Sequence, residues 1–214
     1  MSTVAQRLAD VRARIVRSGR DPDDVTIVAV TKGFDASVCV QAVEAGLSVL
    51  GENRVGEALQ KMSVVEGATW HLIGHLQTNK VRQAADRFAL IQTVDSIHLA
   101  EALAQVNPAQ QVLIEVNIAR EPQKSGADPD AVQRLIAAAA NLLDVRGLMA
   151  MGPAEGDPGP AFRELVWIRD EAEQRIGRAL PVLSMGMSGD FEEAVGAGST
   201  MVRLGQALFG ARPT

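Results

Sequence analysis

The sequence predicts an α/β fold in which eight parallel strands alternate with helices and close into a single (β/α)8 barrel. Eight short apolar runs rich in β-branched residues supply the strands, and stretches of helical composition separate them. The apolar runs are nearly continuous, as expected for strands covered on both faces. An open doubly wound sheet competes with the barrel. Eight regular units favour the barrel, although 214 residues lies near its small end.

The elements follow one another without a break along the chain. A first helix is predicted because Val4, Leu8, Val11 and Ile15 recur at helical spacing. The predicted strands are 26–30, 48–51, 70–74, 90–94, 112–118, 145–151, 181–186 and 200–205. Helices are predicted between them at 37–46, 55–62, 79–88, 97–106, 130–142, 162–176 and 191–198. The Gly- and Pro-rich stretch 152–160 predicts a mobile loop. No linker divides the chain, so we expect residues 1–214 to form one domain.

Composition excludes several classes of function. The net charge is −5 and the basic residues are scattered, which disfavours nucleic-acid binding. No segment has the length or apolarity of a signal peptide or membrane span, so we expect a cytoplasmic protein without a membrane partner. The single cysteine, Cys39, excludes an intramolecular disulfide and is expected to be a packed core thiol. No Gly-x-Gly-x-x-Gly follows the first strand, which disfavours dinucleotide binding.

Polar residues collect after the strands, at the end of a barrel where active sites lie. Lys32 is the most unusual of them, because it closes the apolar run TIVAVTKGF. The others include Glu52, Asn53 and Arg54; His75 and Gln77; Asp95 and Ser96; Asn117; and Ser188, Arg203 and Gln206. The other ends of the strands carry generic turn residues. This difference between the two ends predicts a binding or catalytic site.

The loops after the seventh and eighth strands predict a phosphate site. Ser188 precedes a run of helix formers and is expected at or near a helix N-cap, where free backbone N–H groups attract anions. Gly205 ends the eighth strand and lets backbone approach a ligand closely. A phosphate site opposite a lysine leaves two hypotheses open: a Schiff-base aldolase acting on a sugar phosphate, or a pyridoxal 5′-phosphate protein. Arg203 should point inward, where it could meet a pyridine nitrogen or pair with Glu115.

Long motifs then indicate a family. The combination of AVTKGF, GENRVGEAL, WHLIGHLQTNK, SGADPD, GLMAM, LSMGMSGDFEEAVGAGSTMVRLG and ALFGAR resembles the pyridoxal phosphate homeostasis proteins. This group is similar to the N-terminal domain of alanine racemases, and the resemblance covers nearly the whole chain. It implies a TIM-type barrel without the second racemase domain.

The resemblance also implies roles for individual residues. Lys32 would form the Schiff base with pyridoxal 5′-phosphate, and Asn53 would lie beside the cofactor. Ser188, Gly205 and Gln206 would hold the phosphate, and Arg203 would face the pyridine nitrogen. Gln206 departs from the threonine or serine that is frequent in the family, so only its backbone N–H is expected to serve. His75 receives no role, and no metal ligand is predicted.

The implied function is to hold, buffer or deliver pyridoxal 5′-phosphate, with apo-enzymes that require it as recipients and a monomer or weak dimer as the assembly. The alternative is a pyridoxal-dependent racemase or lyase acting on a small substrate. Racemisation needs acid–base groups on both faces of the cofactor. In racemases of this fold a tyrosine supplies one of them, and this chain contains no tyrosine. His71 lies within a predicted strand, where a core or supporting role is expected. We therefore expect no catalytic residue.

Overall fold

Eight parallel strands form a closed barrel in the order of the chain. The structure is a computed structural model that describes residues 3–211. The termini of the predicted domain, including Arg212 of the ALFGAR motif, lie outside the described residues. The strands are β1 (Thr26–Val30), β2 (Val49–Glu52), β3 (Thr69–Leu72), β4 (Leu90–Val94), β5 (Gln111–Val116), β6 (Asp144–Ala150), β7 (Val182–Ser184) and β8 (Met201–Leu204). β8 pairs with β1, which closes the barrel and excludes the open sheet.

Helices surround the barrel. They are α1 (Val4–Arg17), α2 (Ala36–Glu44), α3 (Val55–Met62), α4 (Val81–Ala84), α5 (Ile97–Ala104), α6 (Val132–Ala140), α7 (Gly159–Ile176), α8 (Phe191–Gly196) and α9 (Gln206–Phe209). Two 3₁₀ segments occupy Pro22–Asp24 and Thr78–Lys80. Within residues 3–211, no helix combines the length and the apolarity needed to span a lipid bilayer.

All eight predicted strands and all predicted helices are present, with three differences. The helix predicted at 79–88 is reduced to a 3₁₀ turn and α4, because Ala85 is extended and Asp86 has a φ of 67°. The predicted loop 152–160 ends early, since Gly159 and Pro160 already belong to α7. The helix α9, a single turn after β8, was not predicted from the sequence.

Two apolar layers hold the fold together. The larger layer lies between the barrel and the helices and contains Cys39, which is fully buried as predicted. A smaller cluster fills the barrel interior: Val28, Leu90, Leu113, Met149 and Met201. Inward-pointing side chains of this kind fill a closed barrel, so its interior is a packed core and not a pore.

The first helix closes the ring of helices. Thr3 caps α1 through a reciprocal pair of hydrogen bonds with Gln6, and Val11 and Ile15 are buried on its inner face, as the helical spacing predicts. Arg14 forms a bidentate ion pair with Glu192 of α8, at 3.0 and 2.7 Å. This pairing connects the start of the chain to the segment after β7.

Candidate functional site

A cavity of about 680 Å³ opens at the carboxyl ends of the strands. This volume lies in the range of small-molecule sites. The structure brings together all six residues that the sequence analysis selected, since each of them lines this cavity: Lys32, Asn53, Ser188, Arg203, Gly205 and Gln206. Their shared position is observed, and their role in binding stays a prediction.

Lys32 enters the cavity from the turn after β1. The side chain is half-buried, and the next residue, Gly33, has a φ of 75°, which turns the chain away from the barrel. Phe34 then packs against Phe209 of α9, with ring centroids 5.4 Å apart. The turn that carries the lysine is therefore fixed to the segment that follows β8.

Arg203 lies at the bottom of the cavity on the inner face of β8. Its Nη1 donates to the carbonyl oxygen and the hydroxyl of Ser184 at 2.7 and 2.8 Å. Its Nη2 donates to the carbonyl oxygen of Ala150 at 2.9 Å. Burial lowers the pKa of the guanidinium to about 10, so the side chain keeps its charge at neutral pH. The pairing with Glu115 that the sequence left open is replaced by these bonds to the barrel wall.

A chain of hydrogen bonds continues from Arg203 across the barrel interior. The Ser184 hydroxyl donates to Gln92 Oε1 at 2.6 Å, and Gln92 Nε2 lies 3.1 Å from His71 Nδ1. Burial lowers the pKa of His71 to about 4, which keeps its imidazole neutral. His71 is not among the residues that line the cavity. The structure thus gives His71 the supporting position expected from the sequence.

Glu115 is the buried carboxyl group of the cavity. It lies on the inner face of β5, is 3% exposed, and its Oε2 has no hydrogen-bond partner within the described part of the chain. Burial raises the pKa of Glu115 to about 7; the nearby charge of Asp95 adds to this rise and Arg203 opposes it. From the sequence, Glu115 was predicted only as a possible partner of Arg203, and its place in the cavity was missed. The sequence signal was the position of a carboxyl group within a predicted buried strand, at a residue that points into the barrel.

The loops after β7 and β8 meet at one side of the cavity. The hydroxyl of Ser188 accepts from the backbone N–H of Ala207 in α9 at 3.1 Å. Asp190 is the N-cap residue of α8, two positions after Ser188, so the expectation that Ser188 stands near the cap is correct but the cap itself is not Ser188. Among residues 3–211, the N–H groups of Ser188, Gly189 and Gln206 make no hydrogen bond. These donors are available to an anion.

Two glycines shape the cavity wall. A Cβ on Gly74 would lie 2.3 Å from the carbonyl oxygen of Asn53, so only glycine lets the Asn53 turn lie against the end of β3. At Gly205 a Cβ would meet the protein only at 3.5 Å, and its φ is negative. Neither strain nor a clash therefore requires glycine at Gly205, which lines the cavity, and the close approach of a ligand to its backbone stays a prediction.

Several strand-end residues serve other purposes. Glu52 points out of the barrel, where it forms an ion pair with Lys61. Ser96 caps α5, and Asn117 holds its own loop by donating to the carbonyl oxygens of Glu121 and Lys124. Asp95 lies 3.4 Å from the exposed His75 at the rim. Of these residues His75 also lines the cavity, whereas Glu52, Asp95, Ser96 and Asn117 are not among the lining residues.

Comparison with known proteins places this geometry in a family. Residues 4–213 match the family described as alanine racemase, N-terminal domain. The pyridoxal phosphate homeostasis protein of Escherichia coli (strain K12) is 39% identical over 232 aligned residues, which cover 99% of this chain and 98% of the relative. The chain belongs to the pyridoxal phosphate homeostasis protein family. The pyridoxal phosphate homeostasis protein of Pseudomonas aeruginosa is 38% identical to this chain over 224 aligned residues, which cover 99% of the chain.

Solved structures of relatives support the same assignment. PipY of Synechococcus elongatus PCC7942 superposes with a TM-score of 0.87 at 33% identity, covering 97% of this chain and all of PipY. PipY with PLP bound superposes with a TM-score of 0.86. Alanine racemase from Corynebacterium glutamicum gives a TM-score of 0.74 at 19% identity, with 99% of this chain covering 61% of the racemase. The family predicted from the motifs and the racemase-like barrel are both confirmed.

Proposed function

We propose that this protein binds pyridoxal 5′-phosphate in the cavity, with Lys32 as the covalent attachment point, and that it holds the cofactor for homeostasis and delivery. The observation that carries the proposal is the meeting around one cavity of a lysine amine, a buried arginine and three backbone N–H groups that make no hydrogen bond within residues 3–211. When bound, pyridoxal 5′-phosphate supplies an aldehyde that condenses with a primary amine and releases one water. The names of the family members and the PLP-bound relative agree with this choice of ligand.

The residues of the chain fit the parts of this cofactor. The N–H groups of Ser188, Gly189 and Gln206 would bind the phosphate, with Gly205 beside it in the cavity lining. Arg203 would stand at the edge of the pyridine ring, held in place by Ser184 and Ala150. Asn53 would contact the ring from the turn after β2. Fixed donors of this kind bind without the cost of reorganising them.

The same contacts favour a holder over an enzyme. An arginine beside the pyridine nitrogen disfavours protonation of the ring, which makes the cofactor a weaker electron sink. The chain contains no tyrosine, and His71 is engaged with Gln92 outside the cavity lining. Recipients of the cofactor would be apo-enzymes that use it, and the assembly would be a monomer or weak dimer.

A racemase or lyase is the second candidate, and one observation favours it. Glu115 lines the cavity, and burial raises its pKa to about 7, a range suited to proton transfer. Incubation of the cofactor-loaded protein with L- and D-amino acids in D₂O distinguishes the candidates. A protein that only holds the cofactor should incorporate no more than one equivalent of deuterium at Cα per protein. Repeated incorporation that is abolished by Glu115→Gln would establish the enzyme.

Intact mass after borohydride reduction tests the attachment. Wild-type protein with pyridoxal 5′-phosphate should gain one reduced cofactor, and peptide mapping should place it on Lys32. Lys32→Ala should gain none, while the exposed-lysine control Lys80→Met should behave as wild type. An adduct of equal yield on Lys32→Ala would refute attachment at Lys32.

A further inference from the structure

A cluster of charged side chains lies on the outer side of the barrel wall, behind the turn that carries Lys32. It consists of Glu52 at the end of β2 and of Glu57 and Lys61 on α3, and we call it the Lys61 cluster. Lys61 Nζ donates to Glu52 Oε1 at 2.6 Å and to Glu57 Oε1 at 2.8 Å. The Lys61 side chain is 7% exposed and that of Glu52 is 0% exposed, so this ion pair is shielded from water.

The Lys61 cluster binds both peptide groups that flank Lys32. Lys61 Nζ donates to the carbonyl oxygen of Thr31 at 2.9 Å, which belongs to the peptide group before Lys32. The N–H of Gly33, in the peptide group after Lys32, donates to Glu57 Oε1 at 2.9 Å. The Thr31 hydroxyl also donates to Glu52 Oε1 at 2.6 Å. Both backbone dihedral angles of Lys32 are therefore held between two anchored peptide planes.

Packing alone does not account for these residues. Burying a lysine and a carboxylate costs desolvation, and apolar side chains of similar size in such positions are frequently as stable or more so. What apolar side chains could not do is bind a carbonyl oxygen and an N–H group of the Lys32 turn at the same time. Burial alone would lower the pKa of Lys61, but its hydrogen bonds to Glu52 and Glu57 raise it, so this lysine stays charged.

We propose that Lys61, Glu52 and Glu57 are positioning residues for Lys32. They fix the direction in which its side chain leaves the end of β1 and enters the cavity. The lysine side chain is long and flexible and keeps several rotamers. Because its Cα is fixed, these rotamers place the amine only in the region where a bound aldehyde would lie. This inference rests on the proposed attachment at Lys32. It assigns a role to residues that would contact neither the bound ligand nor the reacting atoms and that act through the backbone of Lys32.

Two variants separate positioning from folding. Glu57→Ala removes the anchor of the Gly33 N–H from a half-buried position. The double variant Lys61→Met/Glu52→Gln removes the anchor of the Thr31 carbonyl without leaving an unpaired buried charge. Lys80→Met, an exposed lysine outside the cluster, is the control. In cofactor-free protein, we expect amide exchange at Gly33 to become about tenfold faster in Glu57→Ala only.

The two ligands used are pyridoxal 5′-phosphate and its alcohol analogue pyridoxine 5′-phosphate, which lacks the aldehyde. The apparent Kd of the borohydride-reducible complex should rise about tenfold in both cluster variants, while the Kd of the alcohol analogue stays within about twofold of wild type. Equal losses for both ligands, or no loss for either, would overturn positioning in favour of a structural role. Absence of any adduct on wild-type protein would instead refute the attachment at Lys32, and this inference with it.

Discussion

Glu115→Gln tests whether burial raises the pKa of this carboxyl group in the folded protein. Burial raises the pKa of Glu115 from 4.5 to about 7. The folded protein therefore binds this proton more tightly than the unfolded chain does. The contribution to stability is fully present below pH 4.5 and is lost as the pH rises towards 7. A shift of this size corresponds to about 3 kcal/mol, since one pKa unit is about 1.4 kcal/mol.

The assay is urea denaturation of cofactor-free wild type and Glu115→Gln at pH 4.5 and pH 8. The difference between the free energies of unfolding of the two proteins at each pH cancels the titration of the groups that they share. The wild type should lose about 3 kcal/mol relative to the variant between the two pH values, with unchanged m values. For a chain of this length the same loss lowers the wild-type Tm by about 6–12 °C relative to the variant.

Glu44→Gln, at the exposed end of α2, is the matched control for removing a carboxyl group from the surface. A difference between wild type and Glu115→Gln that stays within about 0.5 kcal/mol across this pH range would refute the reasoning. A difference of the opposite sign would show that the carboxylate has a charged partner in the folded protein.

Two further predictions concern the cavity. Ser188→Ala should raise the Kd of pyridoxine 5′-phosphate about two- to tenfold, because the hydroxyl that holds Ala207 of α9 is lost. Isothermal titration calorimetry measures this Kd, and an unchanged value would exclude a role of the Ser188 hydroxyl in the phosphate site. Arg203→Met should destabilise the cofactor-free protein by about 2–4 kcal/mol in urea denaturation, because it leaves the buried oxygens of Ser184 and Ala150 without their donor. Wild-type stability in this variant would mean that the three hydrogen bonds of Arg203 contribute nothing to folding.

The sequence by itself determined the barrel, because the residue pattern within each short segment is enough to predict its strand or helix. Eight β-branched apolar runs and the helical stretches between them follow from side-chain periodicity, which the chain displays directly. The sequence also placed Lys32, Asn53, Ser188, Arg203, Gly205 and Gln206 at strand ends, and parallel strands bring those ends to one side. The motifs added the family and the choice of cofactor.

Tertiary structure decided which face each polar residue occupies. Glu52 and Glu115 both lie on apolar strands, yet one points at α3 and the other into the cavity, because alternation along a strand depends on where pairing sets the register. The break in the helix predicted at 79–88 needed the positive φ of Asp86, which sequence periodicity does not encode. The Lys61 cluster joins residues from β2 and α3, and only the closed packing of strand against helix brings their charges to the backbone on either side of Lys32.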